Sequence, residues 1–78
     1  MIAAEVETSA YGHMDTNLLG VNIEPLEKWC REILGPQAEF RDQVSDEYPW
    51  TVRYNNLGKF MWYFAREEYA TMFKLRWL

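Results

Sequence analysis

Apolar residues recur at Leu26, Trp29, Cys30, Ile33 and Leu34, a spacing of i, i+3, i+4, i+7, i+8 that lays one broad stripe along a helix. Glu27, Lys28, Arg31 and Glu32 fall on the other side. Pro25 suits the first helical position, where its missing N–H would be unbonded anyway, and Gly35-Pro36 supplies the stop. The spacing predicts a helix over 25–34. Trp50-Thr51-Val52-Arg53-Tyr54 instead alternates with period two and is rich in strand-forming residues. Asn55-Asn56-Leu57-Gly58 has hairpin-loop chemistry, and Lys59 to Ala65 follows as a second strand. That pairing puts Trp50, Val52, Tyr54, Phe60, Trp62 and Phe64 on one face.

After Ala65 the period changes again. Tyr69, Phe73 and Trp77 follow at i, i+4, i+8, with Glu67 and Glu68 where a helix start favours negative charge. Lys74 and Arg76 stand where a helix end favours positive charge, which predicts a second helix over 66–77. Gln37 to Val44 carries only Phe40 and Val44 as large apolar residues and reads as an edge strand, with Ser45 to Pro49 a turn. Residues 1–13 alternate weakly at Ile2, Ala4 and Val6 and read either as an edge strand or as a flexible segment. Residues 16–23 look extended or turn-like. The triplet Gly12-His13-Met14 also has the look of a cloning junction, with Met14 as an alternative start. The expected fold is α+β in the order α-β-β-β-α: about three antiparallel strands, with two helices packed on one sheet face.

The length of 78 residues fits one domain over 1–78 and excludes barrel or Rossmann enzymes with a separate substrate domain. With 49% hydrophobic and 17% aromatic residues against 26% charged, the chain has enough apolar surface to fold. The net charge of −4 argues against a general polyanion binder, whose affinity comes from neutralising phosphates. Residues 1–49 hold ten acids and three bases, a balance of −7, while 50–78 hold two acids and five bases, a balance of +3. The asymmetry reads either as an acidic surface for a basic partner or as two halves that attract each other. A single Cys excludes a disulfide within the chain and makes a reducing, cytoplasmic setting the default expectation. Met1 to Ala10 has no basic start and carries Glu5 and Glu7, unlike a signal peptide. The longest apolar run, Phe60 to Ala65, is six residues, so no membrane segment is expected.

Catalytic signals are weak. The one histidine, His13, has no Ser or Cys at motif spacing, and a His13/Asp15/Cys30 metal site lacks paired ligand spacing. The pairs Asp46/Glu47 and Glu67/Glu68 point apart on any regular element. Neither an enzyme nor a cofactor or metal is expected. The informative residues lie opposite the aromatic face: Lys59, Met61 and Tyr63, beside Thr51 and Arg53. Tyr, Met and Arg are enriched at interface cores. Three readings stay open for this surface: cover by the N-terminal segment, docking of a protein or a second copy of the chain, or an RNA-binding sheet whose rings stack on bases. The acids Glu39, Asp42, Asp46 and Glu47 form a second candidate contact region, able to imitate a phosphate backbone.

The stretch Tyr63-Phe64-Ala65-Arg66-Glu67-Glu68-Tyr69-Ala70-Thr71-Met72-Phe73-Lys74-Leu75-Arg76-Trp77 resembles the endings of small uncharacterised proteins from tailed-phage genomes. In those endings an aromatic strand runs into an acidic pair, then Ala, then a Phe-Lys-Leu-Arg-Trp close. Tyr69 departs from that pattern, which has a smaller acidic residue there. The resemblance covers about a third of the chain and transfers no site residues. It implies a phage product in the bacterial cytoplasm, a stoichiometric inhibitor or adaptor of a host or defence protein of the anti-CRISPR kind. The alternatives are a nucleic-acid-binding module on the outer sheet face and a self-associating phage assembly protein.

Overall fold

The computed structural model describes residues 1–9, 23–55 and 58–77. Its elements are strand β1 (Ala4–Ser9), helix α1 (Glu24–Ile33), a 3₁₀ turn (Arg41–Gln43), strands β2 (Trp50–Tyr54) and β3 (Lys59–Phe64), and helix α2 (Glu67–Trp77). The protein is α+β, with a three-stranded antiparallel sheet in the order β1-β3-β2. The chain order is therefore β-α-β-β-α, not the expected α-β-β-β-α. The third strand is Ala4–Ser9, the edge-strand alternative read for residues 1–13, and its alternation is weak because its core-facing residues are small. Ala4 stands across from Phe64 and Val6 across from Trp62, so β3 supplies the volume that β1 lacks.

The expected edge strand over 37–44 shrinks to one parallel bridge between Gln37 and Trp50, followed by the 3₁₀ turn. Glu39, Arg41 and Asp42 are exposed there, and Phe40 and Val44, which a strand would place on one face, part company: Phe40 is exposed and Val44 is buried. His13, Asp15 and most of the 16–23 stretch lie outside the described residues, as do Asn56 and Leu57 of the hairpin loop. Around that loop Asn55 N–H donates to the Lys59 carbonyl at 3.0 Å, and Gly58 adopts a φ of +85°, which glycine takes without strain.

The hairpin register is the one that alternation predicts. Trp50 pairs with Phe64, Val52 with Trp62 and Tyr54 with Phe60, and both helices cover that face. The main core joins Val6, Cys30, Trp50, Trp62, Phe64, Ala70 and Phe73. Phe73 is its hub: its ring centroid lies 4.8 Å from that of Trp62, 5.3 Å from Phe64 and 6.1 Å from Trp29 of α1. Such offset and edge contacts suit the ring quadrupoles. The two deepest indoles also satisfy their N–H groups, Trp50 donating to the Gly35 carbonyl and Trp62 to the Thr8 hydroxyl, each at 2.9 Å. α1 begins with Glu24 and Pro25 and ends as Leu34 and Gly35 N–H both reach the Cys30 carbonyl.

Two expected outcomes follow from this core. Replacing Phe73 with alanine opens a cavity under three other rings and lowers unfolding free energy by about 3–5 kcal/mol, measurable by urea denaturation. The Cys30 thiol is fully enclosed, and burial, then Glu27, pushes its pKa up to about 12 from 9.0. The native state thus holds a proton that the unfolded chain releases, so this contribution is complete below pH 9 and declines as pH rises towards 12. A Cys30→Ala variant should lack that alkaline decline beyond its uniform packing loss, and thiol reagents should label the wild type only on unfolding.

Candidate functional site

The chain leaves α1 at Gly35, whose φ of +129° only glycine accepts readily, and turns back beneath Pro49. A Cβ at Gly35 would meet Pro49 Cγ at 3.4 Å. Residues 36–49 then wrap the sheet face opposite the helices. Ala38 N–H donates to the Trp50 carbonyl at 2.7 Å, and the buried Thr51 hydroxyl donates to the Ala38 carbonyl at 2.8 Å. Gln37 Nε2 approaches the same hydroxyl oxygen at 3.5 Å. Farther along, Ala38 and Val44 close over Tyr63 in a second small core, with Ile2, Met61 and Ala65 at its border. Arg41 lies over the Tyr63 ring at 5.2 Å and donates to its hydroxyl at 3.4 Å. That hydrogen bond raises the guanidinium's already high pKa.

Of the readings left open for the outer sheet face, cover holds at Tyr63, though chiefly from a different segment. Tyr63 faces away from the helices as predicted but is only 6% exposed, because the wrapping segment covers it. Met61 is half-buried, while Arg53 and Lys59 are exposed. Lys59 pairs with Glu7 at 3.6 Å, and Glu7 and Arg53 flank Met61 in one row across the sheet. The cover comes chiefly from 38–44, with Ile2 at the border, and not from the N-terminal segment alone.

Glu39, Asp42, Asp46 and Glu47 are all exposed on the wrapping segment. The two candidate regions are thus parts of one layer. Ser45 organises its far end: its N–H donates to the Tyr48 carbonyl at 2.9 Å, and its Oγ accepts from the N–H groups of Glu47 and Tyr48 at 3.2 and 3.4 Å. This is the predicted turn. Asp46 is a tether, its two oxygens taking Arg66 Nε and Nη2 at 3.2 Å each, a bond that raises the Arg66 pKa. Glu39 and Glu47 instead border an open groove of about 530 Å³, together with Gln37, Gln43, Ser45 and Tyr48.

The sequence reading missed the aromatic side chains beside these acids. Phe40 is 53% and Tyr48 44% exposed. It also divided the charge in the wrong place. Glu5, Glu7, Glu39, Asp42, Asp46 and Glu47 against Arg41, Arg53 and Lys59 give −3 for β1, the wrapping segment and the hairpin. The two helices with Arg66 hold five acids and five bases and are neutral. The excess negative charge of the described residues therefore sits away from the helical layer.

Among the described residues no three His, Cys, Asp or Glu side chains gather as metal ligands. No described helix is long and apolar enough to cross a membrane. Comparison with protein-family models, curated proteins and solved structures finds no match. In the C-terminal stretch 63–77, Tyr63, Phe64, Ala70 and Phe73 are buried, so much of that pattern is packing.

Thr51→Val keeps the side-chain shape and removes the hydroxyl that holds Ala38. The expected loss is about 1–3 kcal/mol, because the buried Ala38 carbonyl is left without its partner. Amide exchange should speed up at Ala38 and Val44 more than in α1 or α2, which separates loosening of the wrap from global destabilisation.

Proposed function

We propose that this chain is a small docking protein that binds a basic protein surface through its wrapping segment. The observation that carries the reading is the acid-bordered groove on a segment pinned at both ends, by Thr51 and Trp50 at one and by Arg66 at the other. Pinning matters because a loop already ordered loses less entropy on binding. A lysine or arginine side chain entering between Glu39 and Glu47 would find carboxylates on the walls and the Tyr48 ring beside them. Exposed Phe40 adds the apolar contact that a purely ionic patch lacks.

The phage-type inhibitor or adaptor is the finer form of this reading. Its support is the C-terminal resemblance, together with an acidic surface able to compete for a site that normally holds phosphates. The nucleic-acid reading of the outer sheet is weaker, because Tyr63, the ring it needs for base stacking, lies under Val44 and Arg41. Docking also accounts for the site better than catalysis does: the one described thiol is enclosed and strongly protonated, and the Ser45 hydroxyl is engaged by its own turn.

Affinity capture from a bacterial lysate with the wild type and with Glu39→Lys/Glu47→Lys tests the reading. The wild type should retain a basic protein, increasingly so as salt is lowered, and the double variant should lose at least about tenfold in affinity while melting normally. An unchanged set of bound proteins would remove the groove as the site. Asp46→Lys is a poor probe, since it also severs the tether to Arg66.

A further inference from the structure

On α2 the buried residues Ala70 and Phe73, with half-buried Trp77, mark the side that meets the sheet. Leu75 lies two residues from both Phe73 and Trp77, about 200° around the helix and thus on the opposite side. It is 81% exposed, and Met72, one turn earlier on the outward flank, is 40% exposed. Thr71 lies on that side one turn before Leu75, with its hydroxyl bonded to the Glu67 carbonyl at 3.1 Å, so it makes no outward polar demand. A single exposed leucine means little. Here it stands in the basic last turn of a helix whose first turn is acidic.

The first turn of α2 holds Glu67 and Glu68 and the last holds Lys74 and Arg76. Among the described residues none of these four has an ion-pair partner in its own chain, and Arg76 lies over the Trp77 ring at 4.3 Å. We infer that α2 is a self-docking helix, two copies of the chain packing their α2 helices antiparallel across a two-fold axis near Met72. In that arrangement Glu67 of each copy faces the other copy's Lys74, and Glu68 faces its Arg76, so every pair forms twice. The helix dipoles oppose as well. A parallel arrangement would set acid against acid and base against base. The charge pattern therefore selects a second copy, in one orientation, as the occupant. With only Met72 and Leu75 as apolar anchors on each copy, the interface is small, and the pair forms and dissociates with concentration rather than standing as an obligate dimer. This surface is on the opposite layer from the acidic groove and does not depend on it.

Sedimentation velocity across a concentration series tests the inference. The wild type should move from the mass of one chain towards that of two, and Leu75→Glu, which leaves the core untouched, should stay at one. Lys74→Glu alone should weaken association at least about tenfold, because it places two acids against each other twice. Adding Glu67→Lys to it should restore association, with thermal melting confirming that each variant is folded. One-chain mass at every concentration, association that ignores Leu75→Glu, or a double variant without restoration would each overturn the proposal. So would a Leu75→Glu variant that lost a lysate protein while the wild type sedimented as one chain, since the face would then belong to a different partner.

Discussion

β3 is enclosed on both faces, and the rest of the molecule is arranged to keep it so. Its even residues Trp62 and Phe64 enter the main core under two helices, while Tyr63 enters a second, smaller core from the other side. A central strand of this composition needs cover twice, because alternate side chains leave opposite faces and here Trp62 and Phe64 on one, Met61 and Tyr63 on the other, are large and mostly apolar. The helices supply the first cover. No third helix exists among the described residues to supply the other, so the connection between α1 and β2 must do it. It does so with few apolar residues, Ala38 and Val44, and makes up the difference with the Thr51 hydroxyl and the Arg41 guanidinium.

That solution is why the site is where it is. A connecting segment that covers a sheet face cannot also be an ordinary mobile loop, and its outward side is polar because only its inward side is needed for packing. Glu39, Asp42 and Glu47 are thus held on a backbone fixed from below. Charge on an ordered frame recognises a partner with less entropy lost than the same charge on a free loop. The neutral helical layer on the far side leaves that field uncancelled.

What was legible in the sequence was whatever is local. The stripe from Leu26 to Leu34, the alternation from Trp50 to Tyr54 and the charge-graded helix after Ala65 each announce themselves within a dozen residues, and each is present. The facing of Tyr63 and Met61 was also legible, since alternation fixes it once the hairpin pairs. Their burial was not, because the cover comes from Ala38 and Val44, six apart with no period, held by tertiary bonds. The third strand was legible only as one of two alternatives for residues 1–13, for a related reason: Ala4 and Val6 are small where Phe64 and Trp62 are large, a complementarity between residues far apart in the chain. The charge asymmetry between halves was real, but the folded molecule sorts charge by layer.

The pairing of β1 with β3 has a temporal side. Ala4 meets Phe64, sixty positions later, whereas β2 and β3 are joined by a short loop. Closing so wide an interval is entropically slow compared with zipping a hairpin. During synthesis β1 must therefore wait for this partner until β3, some sixty residues later, has left the ribosome. A nascent chain stalled before Phe64 would expose a solitary acidic strand, and the two glutamates of β1 are the kind of side chain that discourages such a strand from pairing with a stranger.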